Sequence, residues 1–251
     1  SSVLKLSEET KIFQEVTIEN LLDRKPIKPN LKLMKKNIYK KIIFISGAGG
    51  SIGSEICRQI IEFSPKKLIL FDHSEFLLFK IYEELLSLPE IIKSQCSIVP
   101  ILGSIQDLNL LNKTFKKNNI SLVFHAAAYK HVDLVEKNIF ESIKNNIFGT
   151  EFICNVSLKN NVKNFVLVSS DKAVKPTNYM GATKRVSELI CQSFKNTNTK
   201  FSIVRFGNVM GSSGSVIPKF DAQIKSGGDV TVTDKNVSRF FMTIQEAAQL
   251  V

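Results

Sequence analysis

Cysteine is scarce in this chain of 251 residues. Cys57, Cys96, Cys154 and Cys191 are widely spaced, form no CxxC pair and lie in or beside apolar runs. They read as buried thiols of a reducing compartment, not as a disulfide framework. Histidine is scarcer still, and His73, His125 and His131 are not paired with the cysteines at metal-ligand spacing, so no metal site is expected. No apolar run reaches the ~20 residues that span a bilayer. The first residues lack the charged start, apolar centre and small-residue cleavage site of a signal peptide. Internal repeats, low-complexity tracts and nucleic-acid-binding motifs are also missing. The net charge of +11, with a cluster at Lys32, Lys35, Lys36, Lys40 and Lys41, therefore reads as a solvated basic surface. Such a surface suits an anionic small molecule or an acidic membrane face better than nucleic acid.

What is present is a globular pattern, with 43% hydrophobic residues. Residues 1–40 read as a leader, with a short helix expected over Val16–Leu22 behind a Thr17 cap and a break at Lys25-Pro26-Ile27-Lys28-Pro29. From Lys41 to Val251, apolar runs of strand length alternate with amphipathic runs of helix length. That alternation is the mark of an α/β fold, a Rossmann-type doubly wound parallel sheet. The expected strands are Ile42–Ser46, Leu68–Phe71, Ser97–Ile101, Leu122–His125, Phe165–Val168 and Phe201–Phe206. Their near-continuous apolar character predicts burial on both faces.

Gly47-Ala48-Gly49-Gly50-Ser51-Ile52-Gly53 falls between the first strand and the helix expected from about Ile52. Gly47, Gly50 and Gly53 follow GxxGxxG, a spacing variant of the dinucleotide fingerprint. Small residues let the backbone approach a pyrophosphate, and the helix N-terminus offers it free N–H groups. Asp72 ends the second strand, 19 residues past Gly53, where a carboxylate binds the ribose hydroxyls of NAD and repels the extra phosphate of NADP. A helix N-cap is the alternative role for Asp72. Ser104, Ile105 and Asp107 follow the third strand as candidates to flank the adenine. Ala126-Ala127-Ala128 follow the fourth, on the nicotinamide side. The expected cofactor is NAD.

One further absence concerns the chemistry. An enzyme that moves hydride between a nicotinamide and a sugar hydroxyl usually carries Tyr four residues before a Lys. Before Lys184 that position holds Met180, which can neither give nor take a proton, and none of Tyr39, Tyr82, Tyr129 and Tyr179 has a Lys four residues later. Tyr179 is adjacent, but one residue on a helix turns a side chain by about 100°. Asp171-Lys172 is the nearest other source of proton carriers.

The stretches Ile45–Glu55, His125–Val132, Asp171–Arg185, Arg205–Pro218 and Arg239–Ile244 together resemble the extended short-chain dehydrogenase/reductase family. More specifically, they resemble the UDP-N-acetylglucosamine 4,6-dehydratases of bacterial polysaccharide and glycan synthesis, over residues 41–251. Met180 before Gly181-Ala182-Thr183-Lys184-Arg185 resembles the large, membrane-anchored branch. The resemblance implies a longer, membrane-anchored, homo-oligomeric protein on the cytoplasmic side of the inner membrane, of which this chain is a soluble stretch. The rest of its sugar-nucleotide region would lie beyond Val251.

The implied substrate is UDP-N-acetylglucosamine, oxidised at C4, dehydrated across C5 and C6 and reduced at C6, with NAD regenerated. On this reading Lys184 holds the nicotinamide ribose and lowers the pKa of a neighbouring acid. Asp171 protonates the departing C6 hydroxyl and Lys172 is the base at C5. Ser170 takes part at the C4 hydroxyl, and Met180 is an apolar wall. Lys130, His131, Thr177, Asn178, Asn208, Ser215, Val216 and Pro218 are the implied substrate contacts, with Arg239 on the diphosphate. A 4-epimerase and a non-catalytic NAD-binding protein are the competing readings. The Asp171-Lys172 pair favours the dehydratase, because elimination needs an additional acid and base.

Overall fold

A computed structural model describes residues 27–251 apart from Ser213, Ser215, Thr233 and Lys235. The helix expected at Val16–Leu22 lies outside the described residues. In chain order the elements are α1 (Leu31–Ile38), β1 (Ile42–Ser46), α2 (Ser51–Ile61), β2 (Lys67–Asp72), α3 (Glu75–Leu86), α4 (Pro89–Ser94), β3 (Ser97–Leu102) and α5 (Leu108–Asn118). Then come β4 (Leu122–His125), α6 (Val132–Lys137), α7 (Ile139–Ser142), a π-helical turn (Ile143–Phe148), α8 (Gly149–Lys159) and β5 (Asn164–Ser170). A 3₁₀ turn (Asp171–Ala173), α9 (Tyr179–Ser193), β6 (Lys200–Phe206), β7 (Asn208–Val209), α10 (Val216–Lys225), β8 (Phe241–Met242) and α11 (Ile244–Gln249) complete the fold.

The six long strands form one parallel sheet in the order β3-β2-β1-β4-β5-β6. The chain winds outward from β1 on one side and then from β4 on the other. The carboxyl ends of β1 and β4 therefore diverge at a switch point, where open α/β sheets bind ligands. Both faces of the sheet are covered. Ile43, Ile45, Leu68 and Leu70 pack with Ile56, Ile60 and Leu78 of α2 and α3 on one face. Phe44, Ile69, Val123, Phe165 and Leu167 pack with Phe115, Ile153 and Cys191 of α5, α8 and α9 on the other. Phe44 is a centre of that second layer, its ring 4.9 Å from Phe115 and 5.4 Å from Phe71.

Two-sided burial holds for the inner strands but not at the edges. β3 has only exposed and half-buried residues, and β6 is half-buried along most of its length. An edge strand has a neighbour on one side only, so apolar composition alone does not bury it. The described end of the expected leader also packs on the domain. Asn30 caps α1, accepting from Leu33 N–H at 3.0 Å, and Ile38 joins the core under α2. Pro29 sits just before the cap, outside the helix, so no helical N–H is lost.

Candidate active site

The cleft opens over the carboxyl ends of β1, β4 and β5. Gly47 turns the chain out of β1 with φ +69°, and a Cβ there would stand 2.7 Å from Ala127 N. Only glycine meets both conditions. At Gly53 a Cβ would lie 1.9 Å from the Gly47 carbonyl oxygen, so the third glycine of the motif sets how closely α2 seats on the turn. Gly50, the N-cap of α2, has one neighbour within reach of a Cβ, the Gly47 carbonyl oxygen at 3.3 Å, and it lines the cleft together with Ser51 and Ile52. Small residues and a helix N-terminus thus face the space where a pyrophosphate would fit.

Asp72 is buried at the end of β2. Its Oδ2 accepts from Gly49 N–H at 2.9 Å and its Oδ1 from Ser74 N–H at 2.9 Å. One carboxylate therefore ties the glycine turn to the start of α3, while Ser74, not Asp72, is the N-cap of that helix. Asp72 also lines a recess with Phe71, Gly103, Ser104, Ile105 and Ala127, a carboxylate, a hydroxyl and apolar walls that suit a ribose and adenine. These residues fit NAD. Asp107 does not line this recess; it caps α5, accepting from Leu110 N–H at 2.9 Å.

The main cleft, of about 810 Å³, brings Ala126, Ala128, Lys130 and His131 together with Ser170, Lys172, Met180, Lys184, Asn208 and Val216. At the end of β5 the Ser170 hydroxyl donates to Asp171 Oδ1 at 2.9 Å. The Lys172 ammonium stands 3.4 Å from both Asp171 Oδ1 and Asn208 Oδ1. Asp171 itself is exposed and meets the cleft through these two neighbours. Helix α9 reaches the same place because Gly181 allows it. A Cβ there would lie 2.2 Å from the Lys172 carbonyl oxygen.

Lys184 is buried, and its ammonium donates to the Val168 carbonyl at 2.6 Å. Burial pulls its pKa down to about 8, against the pull of Cys191 and Glu188 in the other direction. Met180, one turn earlier, is buried and forms cleft wall. Behind Lys184, Glu188 is fully buried. Its carboxylate accepts from Ser169 Oγ at 2.6 Å, Arg205 Nε at 2.7 Å and Arg185 Nη1 at 3.1 Å. Burial pushes this carboxyl up, but the hydrogen bonds from Arg205, Ser169 and Arg185 win and hold it at about 2.

Four of the expected substrate contacts do not line the cleft. Thr177 and Arg239 are exposed, and Arg239 donates to the Ser238 carbonyl at 2.8 Å. Asn178 caps α9, accepting from Gly181 N–H at 2.8 Å. Pro218 is exposed on α10. Ser215 lies outside the described residues. Tyr179 opens α9 half exposed and does not line the cleft.

The polysaccharide biosynthesis protein family matches residues 43–251. The chain belongs to that family. It is 44% identical over 241 residues to the Staphylococcus aureus capsular polysaccharide biosynthesis protein CapD, covering 95% of this chain and 40% of CapD. It is 33% identical to a Campylobacter jejuni UDP-N-acetylglucosamine 4,6-dehydratase (inverting), over 84% of this chain and 62% of that protein. Among solved structures, Pen from Bacillus thuringiensis superposes with a TM-score of 0.78 at 38% identity, over 85% of this chain and 64% of Pen. The chain thus spans about 40% of the length of CapD. Among the described residues no helix is long and apolar enough to cross a membrane.

For this family member, single-sequence reading passed over Asn146. It sits in the π-helical turn and is buried. Its side chain accepts from Tyr129 N–H at 2.8 Å and donates to the Tyr129 carbonyl at 3.0 Å and to Thr183 Oγ1 at 3.0 Å. Its carbonyl accepts from Thr150 Oγ1 and Ser187 Oγ, each at 2.6 Å. Because Thr150 gives its proton to Asn146, it accepts from His125 Nε2 at 2.9 Å, leaving Nδ1 to accept from Ser46 Oγ at 2.6 Å. Burial, with Lys184 nearby, pulls the His125 pKa down to about 3, so the imidazole is a neutral strut. The available signal was an Asn145-Asn146 pair inside a helical stretch, since a buried amide requires partners.

Proposed function

We propose that this chain is the NAD-binding catalytic region of a UDP-N-acetylglucosamine 4,6-dehydratase serving surface polysaccharide or glycan synthesis. The observation that carries the reading is the convergence of Ser170, Lys172, Met180 and Lys184 on one cleft beside a dinucleotide cradle. NAD⁺ held by the Gly47–Gly53 turn and Asp72 would supply a hydride acceptor for the sugar C4 and a hydride source for C6. The buried Lys184 lies deep enough to hold the nicotinamide ribose and keep its charge beside the reacting carbon. Met180 replaces the phenol with an apolar wall that excludes water. The Ser170 hydroxyl, already donating to Asp171, forms a two-group path for the C4 hydroxyl proton. Lys172, as the neutral amine, takes the C5 proton and returns it to C5 when hydride reaches C6, while Asp171 passes the C4 hydroxyl proton to the C6 oxygen that leaves as water. Both side chains sit within 3.4 Å of each other, so one acid–base pair serves both halves of the elimination.

The resemblance to the membrane-anchored branch supports a homo-oligomeric full-length protein on the cytoplasmic side of the inner membrane. The 33% identity to a Campylobacter jejuni dehydratase supports the reaction class. The deciding experiment incubates the full-length protein with UDP-N-acetylglucosamine and catalytic NAD⁺ and reads the product mass. Loss of one water is expected. An unchanged mass with altered C4 configuration means a 4-epimerase instead, and no product from NAD-loaded protein means a non-catalytic role.

A further inference from the structure

The cofactor groove is crossed by two side chains to which the proposed chemistry gives no role. His73 follows Asp72 at the end of β2, and Tyr129 follows Ala126–Ala128 beyond β4. β2 and β4 are the two neighbours of β1, so these residues stand on opposite shoulders of the Gly47–Gly53 turn. Their rings meet edge to face, with centroids 6.4 Å apart and planes at 79°. Both residues line the recess of Asp72, Ser104 and Ile105, and both line the main cleft of Ser51 and Lys184. Gly47 and Gly50 likewise belong to both. The ring pair therefore spans the junction of the two compartments, with the glycine turn beneath it.

The two rings hang from firm attachments. Asn146 grips both the N–H and the carbonyl of Tyr129, at 2.8 and 3.0 Å. The Asp72 carboxylate holds Ser74 N–H at 2.9 Å and lies 3.6 Å from His73 Nδ1. The rings themselves are open to solvent: the side chain of His73 is 64% exposed and Tyr129 is 38% exposed. A rigid backbone on each side with an exposed edge-to-face contact between them is a joint that can open by side-chain rotation alone, on the fast timescale of surface rotamers.

We propose that His73 and Tyr129 form a strap across the dinucleotide groove, parting to admit NAD and re-closing to slow its release. This rests on the reading of the groove as an NAD site. A cofactor that is oxidised and restored within each turnover gains from slow departure, since each loss requires a rebinding event. The contact between two rings is weak alone, so it retards release without sealing the site.

The test measures NAD release from the full-length protein, without sugar, by displacement with a fluorescent NAD analogue. His73→Ala and Tyr129→Ala are each expected to speed release by about three- to tenfold, the worth of one aromatic pair. The double variant should release no faster than either single one, because both remove the same joint. Tyr129→Phe keeps the ring and should release like the wild type. Thermal melting without NAD checks that each variant is folded. Unchanged release in both alanine variants, or effects that multiply in the double variant, overturns the strap. Alanine-like release from Tyr129→Phe also overturns it, because the phenol and not the ring pair would then be at work. Wild-type protein that holds no NAD overturns the cofactor reading itself, a result distinct from the others.

Discussion

The ammonium of Lys184 donates to the main-chain carbonyl of Val168 at 2.6 Å, which joins α9 to the end of β5 inside the cleft. This bond keeps a buried cation in place, yet desolvation still holds its pKa at about 8 against an ordinary value of 10.5. The folded state therefore releases a proton that the unfolded chain retains between about pH 8 and 10.5. Stability of the NAD-free protein should rise with pH across that window. Lys184→Met should flatten the rise, which is worth roughly 3 kcal/mol at most from a shift of this size. Urea unfolding at both ends of the window checks this, and a slope of equal size in the variant would refute it.

Glu188 carries the opposite sign. Its pKa of about 2 lies below the ordinary 4.5, so its contribution is present above pH 4.5 and lost as pH falls toward 2. Glu188→Gln should cost about 3 kcal/mol at neutral pH, because it leaves the Arg205 and Arg185 guanidinium groups without their shared carboxylate. Near pH 2 the variant and the wild type should converge. Chemical denaturation at the two pH values reads the difference directly.

Asn146 is the common partner of the loop after β4 and of α9. Asn146→Ala removes the side-chain contacts to Tyr129 and Thr183 together and takes away the partner of the Tyr129 N–H and carbonyl. A loss of about 2–4 kcal/mol is expected, larger than for any single hydrogen bond. Hydrogen exchange should also show faster opening of Ala126–Lys130 than of β1. Uniform protection in the variant would mean that Asn146 does not hold this loop.

At the end of β5 the expected outcome is kinetic. Asp171→Asn and Lys172→Ala should each lower kcat by about 10²- to 10⁴-fold. NAD affinity should stay within about twofold, because an exposed Asp171 and a Lys172 paired to it have no part in the cradle. Single-turnover assays with isothermal titration of NAD separate the two effects. A parallel loss of cofactor binding would show that the pair shapes the site instead of moving protons.

Much of the architecture was legible because it depends on local sequence. Strand positions followed from apolar run length, and the glycine turn from the need for φ +69° and close backbone approach at Gly47. Each of the six expected strands lies within an observed one. Side chains with two possible roles were less legible. Asn178 and Asp107 are helix caps, a local hydrogen-bonding role that a sequence pattern does not separate from ligand contact. Arg239 is exposed in a segment whose long-range neighbours are not local in sequence.

The sequence by itself determined an α/β chain with a dinucleotide turn after its first strand and no phenol at the position four residues before Lys184, since periodicity, glycine spacing and residue identity are properties of neighbours along the chain. Only the tertiary structure decided that β5, the 3₁₀ turn after it, α9 and β7 deliver Ser170, Lys172, Lys184 and Asn208 to one cleft. It also decided that Asn146 braces that cleft from behind and that His73 meets Tyr129 across it. Those relationships join residues far apart along the chain. They arise from the winding of the sheet outward from β1, which no local pattern encodes.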